Sequence, residues 1–384
     1  MNILAVVTDT AWIQNHILST MEKHYCENLY TFLCPGIGLS WSTEWRKQRD
    51  QLNHQLIQYV RQLKSAGKLD LIFCNIYDDF LLVDTVKQLR RENVVMVNYN
   101  VDMVGQWYRI IRTAPYFDAI LAAHQDNIQE VQKYCENVIF MPMAANPEIC
   151  YKKVEPKHTY LHEVSFVGSQ MEFRQAVFLE LLSQQIPVTI YGGYWKGGEP
   201  QRSGMSAYKF VYDLWFYALP RYRRDGSESL LAPLRRRVSE HVPSLDPLPD
   251  SLLHGRISDE KLPEIFRDSR INLGFSDYGW SAIENLSKGK KFQVRLRDFE
   301  VPMAGGFYLA QLSPEHHLYY RIGEEIETWT TVDELVDKIK FYIGHADAAE
   351  KIRERGQQRA LQDHTWQVRF DQLFKTLRDI GLRI

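Results

Sequence analysis

The chain has 384 residues, 45% of them hydrophobic and 24% charged, with a formal net charge of -2. Such a length favours two domains, the balance is that of a soluble globular protein, and the charge gives no electrostatic case for nucleic-acid binding. Its five cysteines (Cys26, Cys34, Cys74, Cys135, Cys150) are odd in number and form no CxxC pair, so they read as reduced thiols in a cytoplasmic protein, with no zinc site.

Residues 1–7 carry no basic leader, and the apolar run stops at Thr8-Asp9, which predicts a first strand and not a signal peptide. No run of about 18 apolar residues follows anywhere, so no transmembrane helix is expected. The β-branched run 3–7 has the pattern of a strand buried on both faces. A helix over 12–24 and a strand over 29–33 come next. Apolar spacing at Leu52, Leu56, Tyr59, Val60 and Leu63 predicts a helix over 45–66, ended by Gly67. Strands at 69–75, 94–99, 118–122 and 138–141 then alternate with helices at 80–92 and 127–134, the rhythm of parallel βαβ units. No GxGxxG follows the first strand, which argues against an ordinary dinucleotide fold.

Polar residues collect at the predicted carboxyl ends of these strands: Thr8, Asp9, Asn75, Asp78, Asp79, Asn98, Asn100, Asp102 and His124. A ligand cleft in an open α/β sheet forms there. Most such residues cap helices or close turns. Asp9 and Asp102 stand out because each follows a strongly apolar strand.

Residues 142–163 contain Asn146-Pro147 and Glu155-Pro156 with little periodicity and read as a linker. A second series then begins, with strands at 164–167 and 188–191 and a helix at 173–184. Gly168-Ser169 lies between a strand and a helix start, where backbone amides and the helix dipole suit a diphosphate. Arg174 in the following turn would supply a cation. Residues 203–252 break the rhythm with an aromatic run from Tyr208 to Tyr217, then Arg221, Arg223 and Arg224, then Arg235-Arg236-Arg237. An inserted subdomain that buries its aromatics is the expected reading. A membrane-surface helix, a partner interface and a lid are the alternatives.

The rhythm resumes at Gly255-Arg256-Ile257, followed by a helix over 259–268 with Ser258 as its cap and a strand over 271–275. A short helix is predicted to start near Asp298 and to end on Gly305-Gly306, with a strand over 307–310. It holds Glu300 at the mouth of a parallel sheet, where a carboxylate can accept two hydrogen bonds from a sugar diol. Helices over 332–343, 346–362 and 365–381 complete the chain.

Phe166-Val167-Gly168-Ser169 with Arg174, Tyr191-Gly192 with Trp195, Gly255-Arg256-Ile257-Ser258, Ile271-Asn272-Leu273, and Arg297-Asp298-Phe299-Glu300 with Gly305-Gly306 stand in one order. His364-Thr365-Trp366 with Arg369-Phe370 extends it. Together they resemble the C-terminal domain of the CgeB-like (spore maturation protein) glycosyltransferases of the GT-B superfamily, with glycosyltransferase groups 1 and 4. The resemblance covers most of residues 160–375, while the first half matches in rhythm alone.

That resemblance implies two Rossmann-like domains with parallel sheets facing across a cleft. They would be an N-terminal acceptor domain at 1–145, a linker at 146–162, and a C-terminal nucleotide-sugar domain at 163–363 with insertion 203–252. A final helix at 364–384 would return to the N-terminal domain. It implies Glu300 on the ribose hydroxyls, Gly168, Ser169 and Arg174 on the diphosphate, and the backbone around Arg256 and Ile257 on the base. Gly305 and Gly306 belong to the same donor motif, and Arg297 would orient Glu300, reach the phosphate or pair with Asp298. Group 4 retaining enzymes carry an earlier glutamate in this motif, and Phe292 stands in its place here, beside Gln293. An inverting reaction would need a base in the cleft, for which Asp9, Asp102 and His124 are the candidates. A DxD metal motif is not evident, and such enzymes generally work without an essential bound metal. The expected partners are a nucleotide sugar and an unidentified acceptor; peripheral membrane contact through 208–224 stays an open alternative, weakened because Asp213, Asp225, Glu228 and Glu240 nearly balance the basic residues of the insertion. The alternative is a non-catalytic binding module of this fold that docks a partner through the aromatic insertion. A sugar epimerase of the same fold is disfavoured, since no paired acids identify it.

Overall fold

The computed structural model describes residues 1–35, 42–153, 159–196, 207–227, 247–277 and 291–384. The chain divides into two compact units: Met1–Pro142, Gln201–Val242 and Arg369–Ile384 form the first, and Met143–Pro200 with Pro243–Val368 the second. Among the described residues, no helix is long and apolar enough to cross a membrane.

The first unit is built on a six-stranded sheet ordered β2-β1-β3-β4-β5-β6. Its strands are β1 (Asn2–Thr8), β2 (Asn28–Cys34), β3 (Leu71–Asn75), β4 (Val95–Asn100), β5 (Ala119–Ala122) and β6 (Val138–Phe140). Every pairing is parallel. β1 lies inside the sheet, and Ile3 to Val7 are wholly buried, which is why that run is apolar without alternation. Ser42 caps the helix Thr43–Ser65 by accepting from Trp45 N–H, and Leu56, Val60 and Leu63 face the core. From Arg369 onward the helix Trp366–Asp379 belongs to this unit. Phe370 sets its ring 5.7 Å from Tyr25 and 6.3 Å from Phe73.

Chain order sets residues 203–252 within the second βαβ series. In three dimensions, the described residues 207–227 cluster with the first unit. The described part forms the helices Ala207–Phe216 and Ala218–Asp225, while 203–206 and 228–246, with Arg235-Arg236-Arg237, lie outside the described residues. Tyr212 and Tyr217 enter the apolar core of the first unit, and the Arg112 guanidinium lies 3.8 Å from the Phe216 ring centroid. Only some of the aromatics are buried: Tyr208, Phe210 and Trp215 are exposed.

The second unit has a five-stranded sheet ordered β11-β10-β9-β7-β8. Its strands are β7 (His162–Val167), β8 (Val188–Tyr191), β9 (Ser269–Gly274), β10 (Tyr308–Gln311) and β11 (Glu327–Trp329), all parallel. β11 is absent from the sequence reading, because three residues are too few to show a period. Ser258 is another difference: its side chain makes no capping bond to the turn that follows. The linker segment holds one short helix, Pro147–Cys150, capped by Asn146, and residues 154–158 lie outside the described ones.

Candidate functional site

β7 is the first strand of the second sheet. The chain passes from it to β8 on one side and later to β9 on the other. The order therefore reverses between β7 and β9, and their carboxyl ends flank the place where open α/β sheets bind ligands. Gly168-Ser169 follows β7, and Phe275-Ser276-Asp277 follows β9. Gly168 and Gly192 let the loops after β7 and β8 approach closely: a Cβ on Gly192 would fall 2.0 Å from the Gly168 carbonyl oxygen, and φ there is +147°. Gly168 N–H is already engaged by the Tyr191 carbonyl at 2.8 Å. Ser169 N–H has no partner among the described residues.

Arg174, two residues into the helix Glu172–Ser183, brings its guanidinium into this switch point. It is 5% exposed. Its Nη1 donates to the Ser169 carbonyl at 2.7 Å, and its Nε donates to nothing. The Phe166 and Phe275 rings pack against it at 5.2 and 5.7 Å. Arg295 comes from the other side, donating to the Phe275 carbonyl at 2.9 Å and the Asp277 carbonyl at 3.0 Å. Neither guanidinium has a carboxylate in salt-bridge contact among the described residues. Burial first, and then the Arg295 charge, press the Arg174 pKa down to about 9 against the opposing pull of Tyr308 and Asp277. A buried cation beside a second cation is costly unless an anion joins them. The pair can hold a diphosphate through charge-assisted bonds. Arg295 was missed from sequence. The signal was present in the run Arg295-Leu296-Arg297, upstream of the acids.

The helix Arg297–Met303 carries Glu300, 3% exposed, and Arg297 Nη1 donates to its carboxylate. Of the roles open to Arg297, the structure shows the contact with Glu300 and no contact with Asp298. Asp298 is itself buried and not a solvated first-turn acid. It accepts from Arg295 N–H at 2.7 Å and meets His316 Nε2 at 2.6 Å. Because His316 Nδ1 accepts from Ser313 N–H, the ring proton sits on Nε2 and donates to Asp298. That chain of bonds fixes the backbone from which Arg295 reaches the switch point. Gly305 ends the helix at φ +78°, and Gly306 packs where a Cβ would meet Asn272 and Val301 at 2.8 Å. Both are buried and shape the turn. Arg256 is exposed and stacks over Tyr194 at 5.2 Å, with Ile257 half-buried beside it. The Gly255 carbonyl accepts from Gly192 N–H at 2.6 Å, which joins this loop to the switch-point loops. Burial and then the Glu300 charge hold the Cys150 thiol well above its usual pKa, so it stays a thiol.

In the first unit, Asp9 is exposed after β1 and accepts from Gln14 Nε2 at 3.4 Å. Asp102 follows β4 and opens the helix Met103–Gln106. His124 follows β5 and is buried. β4 and β5 are neighbours, so Asp102 and His124 share one stretch of the sheet's carboxyl edge. Asp9 stands two strand spacings from β4, on the order of 10 Å. Asp78 and Asp79 serve the fold. Asp78 accepts from Arg112 N–H, Thr113 N–H and Thr113 Oγ1, and Asp79 pairs with Arg109.

Residues 223–375 match the model of a family described as "Glycosyl transferase-like", and no curated protein matches the chain. Among solved structures, the chain is similar to Anabaena Alr3699/HepE in complex with UDP, at 13% identity and a TM-score of 0.60 over 99% of this chain and 100% of that one. It is similar to sucrose-phosphate synthase from Thermosynechococcus elongatus, at 11% identity and a TM-score of 0.58 over 99% of each chain. A glycosyltransferase from Rickettsia africae ESF-5 matches at 10% identity and a TM-score of 0.53 over 98% of each. The fold is GT-B, two α/β units on parallel sheets of six and five strands.

Proposed function

We propose that the protein is a glycosyltransferase of the hexosyltransferase type that moves a sugar from a nucleotide-diphosphate sugar to an acceptor, and that it works in the cytoplasm without an essential bound metal. The observation that carries this reading is the buried guanidinium of Arg174, which has no carboxylate in salt-bridge contact among the described residues, beside Arg295 at the switch point of the second sheet. A glycosyl transfer releases a nucleoside diphosphate, and two fixed cations stabilise the charge that grows on that leaving group. Glu300, oriented by Arg297, accepts from the ribose hydroxyls, and the loop of Arg256 and Ile257 holds the base. The solved structures of Alr3699/HepE with UDP, UDP and glucose, and UDP-glucose support a uridine nucleotide as the first donor to test. The finer assignment to the CgeB-like group rests on the motif order. With Phe292 where a retaining enzyme has its first glutamate, we assign acceptor activation to one of Asp9, Asp102 and His124.

The test is calorimetric titration with UDP, TDP and a panel of their sugars, on the protein and on Arg174→Met. Saturable binding of at least one nucleotide that Arg174→Met removes is the expected result. If no nucleotide binds, or if the variant binds as well as the parent, the reading fails.

A further inference from the structure

The loop after β8 reads Gly192-Gly193-Tyr194-Trp195-Lys196-Gly197-Gly198. Within it Tyr194 takes φ +70°, the left-handed conformation that bulky side chains rarely adopt. Asn93 and Gln185 are the other non-glycine residues at positive φ among the described residues. Each follows a helix, where that conformation is ordinary, whereas Tyr194 follows a strand. Glycine stands at four nearby positions of the loop, yet an aromatic residue occupies the place that strains it. Strain of this kind collects at ligand sites.

Trp195 turns inward, joins the core of the second unit and donates from Nε1 to the Gly168 carbonyl at 2.8 Å. Tyr194 turns outward and is 39% exposed. The Arg256 guanidinium covers one face of its ring. It also lies across Gly193, where a Cβ would fall 2.8 Å from Arg256 Nε. What remains is a flat aromatic surface with a cation behind it, and two neighbours fix where that surface stands. The Gly193 carbonyl accepts from Gln170 N–H at 3.2 Å. Tyr194 is therefore one chain step, about 3.8 Å between Cα atoms, beyond a residue bonded to the loop of Ser169. On the other side, burial, then Glu300 and more weakly Asp259 raise the Cys150 thiol, so Asp259 and Glu300 surround one group. Residues 256–259 thus run from the Tyr194 ring to the neighbourhood of the Glu300 carboxylate.

We propose that Tyr194, backed by Arg256, is the platform on which the nucleobase of the donor stacks. This deepens the donor reading of the second unit and rests on it. A diphosphate at Ser169, Arg174 and Arg295 and a ribose at Glu300 bring the remaining part of a nucleotide to the ground that residues 256–259 cross. That part is a planar aromatic ring, and the face of a tyrosine is its complement. The Arg256 cation against the rear face holds the ring in place. Stacking accepts any base, so the platform selects a nucleoside diphosphate sugar over a sugar carried on a diphosphate without a base, and leaves the choice among bases to other contacts.

Calorimetry on the whole chain tests it, with UDP, TDP and inorganic pyrophosphate as probes. Tyr194→Asn removes the ring and leaves a residue that tolerates positive φ. Tyr194→Phe keeps the ring and removes only the hydroxyl. The Asn variant should lose roughly 10- to 100-fold in affinity for UDP and for TDP alike. It should keep the parental affinity for pyrophosphate and melt no lower than the parent, since strain has been relieved. The Phe variant should bind all three probes as the parent does. Unchanged UDP binding by the Asn variant overturns the proposal. Equal losses of UDP and pyrophosphate overturn it as well, because the ring would then only shape the loop beneath the phosphates. So does a Phe variant that falls with the Asn one. A parent that binds no nucleotide sinks the donor reading as a whole, whereas binding that Arg174→Met removes and Tyr194→Asn leaves intact sinks the platform alone.

Discussion

Arg109 and Arg174 hold comparable places, each in the polar ground beyond the strands of its own sheet, yet their surroundings are opposite. Arg109 donates to the Asp79 carboxylate and lies over the Tyr77 ring. Burial alone would lower its pKa, but Asp79 and the tyrosines outweigh that and the net direction is up. Arg174 has a backbone carbonyl, two phenylalanine rings and another arginine for company. In the first unit an arginine at this level locks the fold. In the second, a cation is kept buried with no carboxylate in salt-bridge contact among the described residues, and Asp277 acts on it only from a distance; under the proposed function that leaves a place for a diphosphate.

The contrast can be broken at several points. The largest effect belongs to the general base we assign to the first unit. Of Asp9→Asn, Asp102→Asn and His124→Gln, one should lower kcat by roughly 100- to 10,000-fold with donor binding intact, as read by transfer assays alongside calorimetry. Next comes Arg109→Met, which strands Asp79 in the interior. A loss of about 3–5 kcal/mol in urea unfolding is expected, with no change in nucleotide affinity for whatever stays folded. Arg174→Met should do the reverse. It should weaken nucleotide binding by about 2–4 kcal/mol while the free protein becomes no less stable, because an unpaired buried charge has been removed. A matched loss of stability in that variant would show that Arg174 is a structural residue like Arg109. Glu300→Gln is milder, at about 1.5–3 kcal/mol of donor affinity, and should be felt by UDP as much as by a UDP-sugar.

The most gradual effect is a pH slope in the first unit, small at any single step. Burial pushes the Asp78 carboxyl from 3.8 up to about 7, against the hydrogen bonds from Thr113 and Arg112. The folded chain therefore keeps a proton that the unfolded chain releases. Stability should fall as pH rises between about 4 and 7, by at most about 1.4 kcal/mol for each pH unit, and then level off. Thermal midpoints across that range should show the slope in the parent and a flatter line in Asp78→Asn.

How much of this was legible beforehand varies from residue to residue. The strand Val188–Tyr191 and the helix Glu172–Ser183 lie where periodicity put them, because a buried strand and a half-buried helix each impose a repeat on the chain. The helix of Glu300 and its termination at Gly305 were legible from two acids and a glycine pair. β11 was not, nor was the role of Asp298. Its burial against His316 joins residues eighteen apart in sequence, which no local pattern records.

By itself the sequence determined two runs of βαβ units, their break near residue 142, and the order of glycine turns from Gly168 to Gly306, since each depends on short-range repeats or on glycine's freedom of backbone. Only the tertiary structure decided that residues 207–225 belong with the first sheet, that Arg295 joins Arg174, and that one face of the aromatic helices stays bare. Those are questions of which distant surfaces meet and which charges go unmatched. Burial and pairing answer them only once the whole chain has closed on itself.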